Sequence, residues 1–125
     1  VRDSVDDLVG RAARAGLAAT LTWDGPRRLP PMVDLAAQRV VQEALTNAVK
    51  HAPGSAVRVR VASTGEATEI RVTNTLQSGH RRAAGGRVGL VGLRERVRLL
   101  GGTLHAGPGD HGYELVARLP HGEES

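Results

Sequence analysis

Val57, Val59 and Val61 alternate with Arg58 and Arg60, and Ile70 and Val72 alternate with Arg71 and Thr73. A period of two sends the aliphatic side chains of each run to one face of a pleated strand. Ser63-Thr64-Gly65-Glu66 joins the runs, and a connection this short makes an antiparallel hairpin, because parallel strands need a crossover of about a dozen residues or more. Such a hairpin has one apolar and one charged face. The rest of the chain therefore has to cover a single side of a sheet.

The segments that provide the cover are legible. Ser4 with Asp7 three residues later has the form of a helix cap, followed by Val5, Leu8, Val9, Ala12 and Ala13 at helical spacing, with Gly16 as the stop. Leu17, Ala19, Leu21 and Trp23 then return to a period of two, as in a half-buried strand. Asp24-Gly25-Pro26 turns the chain, and Pro30-Pro31 introduces a long helix from about Met32 to His51. Its expected core stripe is Ala37, Val41, Ala44, Leu45 and Ala48, and Ala52-Pro53-Gly54-Ser55 ends it. A shorter helix carries Leu90, Leu93, Val97 and Leu100 on one face and stops at Gly101-Gly102. Two closing strands, Thr103 to Ala106 and Tyr113 to Leu119, flank a glycine-rich turn. There is no strict βαβ rhythm, no repeat and no second domain. The expected fold class is α+β: a two-layer sandwich over residues 1–125, its mixed, largely antiparallel sheet covered by helices on one face.

Composition narrows the function. The net charge is +4, but sixteen of the seventeen basic residues are Arg, spread along the chain, with one Trp, one Tyr and no Phe to stack on bases. A solvated basic surface explains this better than nucleic-acid binding. Without cysteine there is no disulfide framework, thiol nucleophile or cysteine-ligated zinc. No apolar run is long enough to span a bilayer, and Val1 in place of methionine suggests a piece of a longer protein. His51, His80, His105, His111 and His121 show no metal-ligand spacing, and there is no G-x-S-x-G elbow.

Two constellations carry chemistry. Glu43, Asn47 and Lys50 recur at i, i+4 and i+7 as one polar stripe, expected roughly opposite the apolar stripe, with His51 at its shoulder. An ordinary solvated helix face has the same spacing. Asn, however, is a mediocre helix former, and Lys50 is the only lysine. An Asn amide oxygen is a hard ligand suited to Mg²⁺, and a nearby ammonium suits phosphates. The second constellation is Gly85-Gly86-Arg87-Val88-Gly89-Leu90-Val91-Gly92-Leu93, with glycines ahead of and just inside a helix start. Unpaired backbone N–H groups there attract anions, although a disordered surface loop has the same composition. Neither the P-loop nor the dinucleotide-binding fingerprint is present.

Taken in order, the motifs resemble the GHKL, or Bergerat-fold, ATP-binding superfamily, and within it the catalytic domains of bacterial two-component sensor histidine kinases of the nitrate-sensor and lipid-desaturase-sensor type. Val41-Gln42-Glu43-Ala44-Leu45-Thr46-Asn47-Ala48-Val49-Lys50-His51-Ala52 is similar to that group's N-box. Gly89-Leu90-Val91-Gly92-Leu93-Arg94-Glu95-Arg96-Val97, with Leu100-Gly101-Gly102 after it, looks like the G-box and following helix. The resemblance implies ATP and Mg²⁺ as cofactors, with Asn47 holding the metal and Glu43 positioning a metal-bound water or the acceptor. Lys50 and His51 would contact phosphates. A flexible ATP lid at about residues 76–89 would wrap them, with Gly86, Gly89, Leu90, Gly92 and Leu93 at the nucleotide. One departure stands out: the family's Asp-x-Gly-x-Gly is replaced by Asn74-Thr75-Leu76, so that Asn74 takes the place of the adenine-binding Asp. A neutral carbonyl still accepts from the adenine amine, but more weakly.

The implied activity is transfer of the γ-phosphoryl group of ATP to a histidine on a dimerisation domain of the same protein, absent from this sequence, for relay to a response regulator. The parent would be a homodimer anchored in the bacterial inner membrane, and this a cytoplasmic domain, monomeric by itself. Two other readings share the fold. One is a nucleotide-binding regulatory module without transferase activity, prompted by the altered adenine motif. The other is a serine kinase of the anti-sigma-factor type, which the Arg94-Glu95-Arg96-Val97 helix argues against.

Overall fold

The computed structural model describes residues 4–51, 54–75, 87–109 and 112–122. Helix α1 (Val5–Arg14) opens with the expected capping box: Ser4 Oγ accepts from the Asp7 backbone N–H, and the Asp7 carboxylate accepts from that of Ser4. Ala15 caps its far end and Gly16 turns the chain with φ +106°. Strand β1 (Ala18–Asp24) follows, then helix α2 (Pro31–His51), the hairpin β2 (Ala56–Ser63) and β3 (Ala67–Thr75), helix α3 (Arg87–Leu99), and the closing pair β4 (Thr103–Gly109) and β5 (Gly112–Pro120).

The five strands form one sheet in the order β1-β2-β3-β5-β4. β1 pairs parallel with β2, the crossover between them being α2, and the other three pairings are antiparallel. Burial alternates along β2 and β3, and Val57, Val59, Val61, Thr68, Ile70 and Val72 lie beneath the helices. The other face stays wet. On it Arg71 donates to Glu114 at 2.9 Å, a hydrogen bond that raises the guanidinium pKa above its ordinary value. Arg60 meets Asp24 at 3.3 Å. Exposed pairs of this kind contribute about 0–1 kcal/mol, so the arginines of this face serve solubility more than stability.

Three local readings change. The apolar face of α2 is wider than expected, since Val33, Ala36 and Val40 are buried along with Ala37, Val41, Leu45 and Ala48, while Ala44 is only partly buried. The cause is that α2 packs on the sheet and also against α1 and α3 on either side. Helix α3 begins at Arg87, so residues 87–89 of the expected lid are helical; residues 76–86, Gly86 among them, lie outside the described residues. Strand β4 runs on to Gly109 through Pro108, which is tolerated because β4 is an edge strand with no second ladder to feed. Gly102 ends the α3 connection where the Arg118 carbonyl leaves no room for a Cβ.

Ile70 and Leu99 separate core from surface. Ile70 is fully buried on β3, and Leu99 is 80% exposed. Urea denaturation is expected to show a loss of about 2–5 kcal/mol for Ile70→Ala, and a change within about 0.5 kcal/mol for Leu99→Ser.

Candidate functional site

Connectivity brings the chemistry-bearing segments to one pole of the sandwich. The C-terminal end of α2 leads directly into β2, so Lys50 and His51 stand at the end of the sheet where Ala56 pairs with Thr75 and Val57 with Asn74. Asn74 also pairs with Tyr113 at the start of β5. Helix α3 leads into β4, whose first residue, Thr103, pairs with Arg118 at the opposite end of β5. The C-terminus of α3 therefore lies at the far pole and its N-terminus, with Gly89, near Asn74. A groove between Met32, Leu35 and Ala36 of α2 and Arg96 and Leu99 of α3, with Leu100 just after it, fits this antiparallel arrangement of the two helices.

The polar stripe of α2 does not sit opposite the core, as its spacing suggested. Glu43 and Asn47 are half-buried. They follow Ala36 by seven and eleven residues, hence along the flank of α2 that faces α3. The widened apolar face explains the shift, because once Val33, Ala36 and Val40 are core residues, Glu43 and Asn47 become its margin. Lys50 diverges from them. It is exposed and lines a groove of about 450 Å³ between α1 and α2, with Arg11, Ala15, Gln42 and Thr46. Glu43, Asn47 and Lys50 have no hydrogen-bond or ion-pair partner among the described residues, and nothing there groups three or more His, Asp or Glu into a metal cluster. One amide oxygen completed by water and phosphate oxygens is a donor set that suits Mg²⁺, which keeps most of its waters.

Asn74 sits on the helix-covered side of β3, in line with Ile70 and Val72. Its Oδ1 accepts a hydrogen bond of 2.5 Å from the hydroxyl of Ser55, a residue only 2% exposed. The sequence reading missed Ser55. Its nineteen-residue separation from Asn74 carries no signal until the hairpin register is known. In α3, Leu93 is core and Leu90 packs against it, so these two side chains hold the helix down. Gly92 faces open space, and a Cβ there would meet nothing. A glycine inside a helix costs about 1 kcal/mol relative to alanine, and packing among the described residues gives no reason for it. A separate cleft of about 800 Å³, at the other pole and bordered by Trp23, Arg27, Asp34 and His121, contains none of the candidate residues.

The family model for histidine kinase-, DNA gyrase B- and HSP90-like ATPases matches residues 32–123. The chain belongs to this ATPase family. It is 35% identical over 100 residues to the signal transduction histidine-protein kinase/phosphatase DegS of Brevibacillus brevis, a match covering 74% of this chain and 25% of that protein. The chain thus spans about a quarter of that relative's length. Among solved structures, the ATPase domain superposes on the blue-light activated histidine kinase of Erythrobacter litoralis EL346 with a TM-score of 0.68 at 21% identity, over 97% of this chain and 43% of that one. The mycobacterial sensor histidine kinase MprB gives 0.59 at 18% identity, over 93% and 92% of the two chains. At such identities the likeness is one of fold, and it bears out the α+β sandwich.

The Ser55–Asn74 hydrogen bond is open to a double-mutant cycle. Chemical denaturation of Ser55→Ala, Asn74→Ala and the double variant is expected to give a coupling of about 0.5–1.5 kcal/mol. Strict additivity would mean that the pair contributes nothing to the fold.

Proposed function

We propose that this domain binds Mg-ATP and is the phosphoryl-donor half of a sensor histidine kinase of the nitrate-sensor and lipid-desaturase-sensor type. The γ-phosphoryl group passes to a histidine on a separate dimerisation domain of the parent protein, and from there to a response regulator. The observation that carries this reading is the meeting of three segments at one pole: the Glu43–Asn47 flank of α2, the Asn74 end of β3 and the glycine-bearing start of α3.

Each segment has a chemical part. Asn47 offers a hard oxygen to Mg²⁺, whose charge offsets that of the phosphates. Glu43, one turn earlier on the same flank, orients water and the incoming acceptor. The first turn of α3 presents backbone N–H groups to phosphate oxygens, and Gly92 lets them come close. Lys50, exposed on the α1 side, reaches the same phosphates as a point charge. Asn74 faces the base. Phosphoryl transfer needs chiefly positioning and charge neutralisation, so this short donor set is chemically sufficient.

The family resemblance supports a cytoplasmic place for this domain in a membrane-anchored parent; no helix among the described residues is long and apolar enough to cross a membrane. The replacement of Asp by Asn74 favours one competing reading, a nucleotide-binding regulatory module that no longer transfers phosphate.

Transfer from γ-labelled ATP separates the two. With the parent's dimerisation domain supplied in trans, label is expected on that domain, while the isolated chain labels itself poorly. Glu43→Gln is expected to slow transfer by roughly a hundredfold with ATP affinity little changed. Bound ATP without transfer would leave the regulatory module; strong self-labelling of the isolated chain would contradict the donor assignment.

A further inference from the structure

Ser55 and Asn74 decide which edge of a purine this site can read. The Ser55 hydroxyl, buried at the start of β2, donates to Asn74 Oδ1 at 2.5 Å. Ser55 is the hydrogen-bond partner of Asn74 among the described residues, and it takes the amide oxygen. The amide NH₂ is thereby turned away from Ser55 and has no partner among the described residues.

A carboxylate in this place has acceptors only. It suits a 6-amino group and repels a 6-oxo group. An amide whose NH₂ points outward suits a base-edge acceptor instead, either N1 of adenine or O6 of hypoxanthine and guanine. We infer that the base pocket of this domain takes 6-oxopurine nucleotides alongside adenine nucleotides, with Asn74 setting this tolerance and Ser55 fixing the amide that provides it. The inference rests on the assignment of Asn74 to the base under the proposed function.

Inosine triphosphate is the direct probe, because it differs from ATP only at the 6-position edge, and it avoids the 2-amino group of guanine. Calorimetric titrations of the wild-type domain, Asn74→Asp and Ser55→Ala with Mg-ATP and Mg-ITP test the inference, with thermal melts to confirm that each variant is folded. The wild type is expected to bind ITP within about tenfold of ATP. Asn74→Asp is expected to widen the preference for ATP by at least about tenfold, because a carboxylate facing O6 is repulsive. Ser55→Ala frees Oδ1 to turn toward the 6-amino group, so the preference moves toward ATP, by roughly threefold. A wild type that binds ATP more than about a hundredfold tighter than ITP overturns the inference, as does an Asn74→Asp variant with an unchanged ratio, and in both cases ATP binding itself stands. A wild type that binds neither nucleotide overturns the ATP-binding proposal and this inference together.

Discussion

Everything at the candidate site depends on how closely α2 lies on the sheet. Ala36, Ala37, Val40, Val41 and Ala48 of α2 are buried in one core with Val57, Val59 and Ile70 of the sheet, and the small alanines allow a close approach. Interiors packed to this density tolerate little rotation, since turning the helix would expose one aliphatic row and bury a polar one. With its rotation set, α2 carries Glu43 and Asn47 at the margin of the core, on the α3 side, where they stay half-buried. The site is in this sense a by-product of core packing. Glu43 and Asn47 hold their places through the aliphatic residues around them, with no partners of their own among the described residues.

Most of the scaffold was legible because it is written in local patterns. The capping box at Ser4 and Asp7, the period-two runs of β2 and β3, and the glycine stops at Gly16 and Gly101-Gly102 each follow from residues a few positions apart. Failures came where tertiary neighbours decide. Glu43 and Asn47 look like an outer face when α2 is considered alone, and become a flank only because α1 and α3 pack on either side. The Ser55–Asn74 hydrogen bond depends on the register of Val57 opposite Asn74, which periodicity does not specify. Pro108 was read as part of a turn, and only the edge position of β4 lets it remain in a strand. The family assignment rested on two long motifs, and the match over residues 32–123 spans both of them.

Glycine placement draws the line between fold and function in α3 and the turn that follows it. Gly102 is dictated by the chain itself, because Arg118 leaves no space for a side chain, whereas Gly92 has open space around it. A residue that weakens its helix without relieving a clash among the described residues leaves room for another group, and a phosphate approaching the helix start is the partner that the proposed function supplies. Asn74 belongs to the same class of observation. It gives up the charge of a carboxylate and gains a donor, and Ser55 directs which of the two amide ends is presented.

The central claim is that Asn47 holds magnesium for a nucleotide at this pole, and calorimetric titration with ATP tests it most directly, with and without Mg²⁺, on the wild type and Asn47→Ala. Magnesium-dependent binding that weakens at least about tenfold in Asn47→Ala is the predicted result. Binding indifferent to both magnesium and the substitution would contradict the account, as would no binding at all.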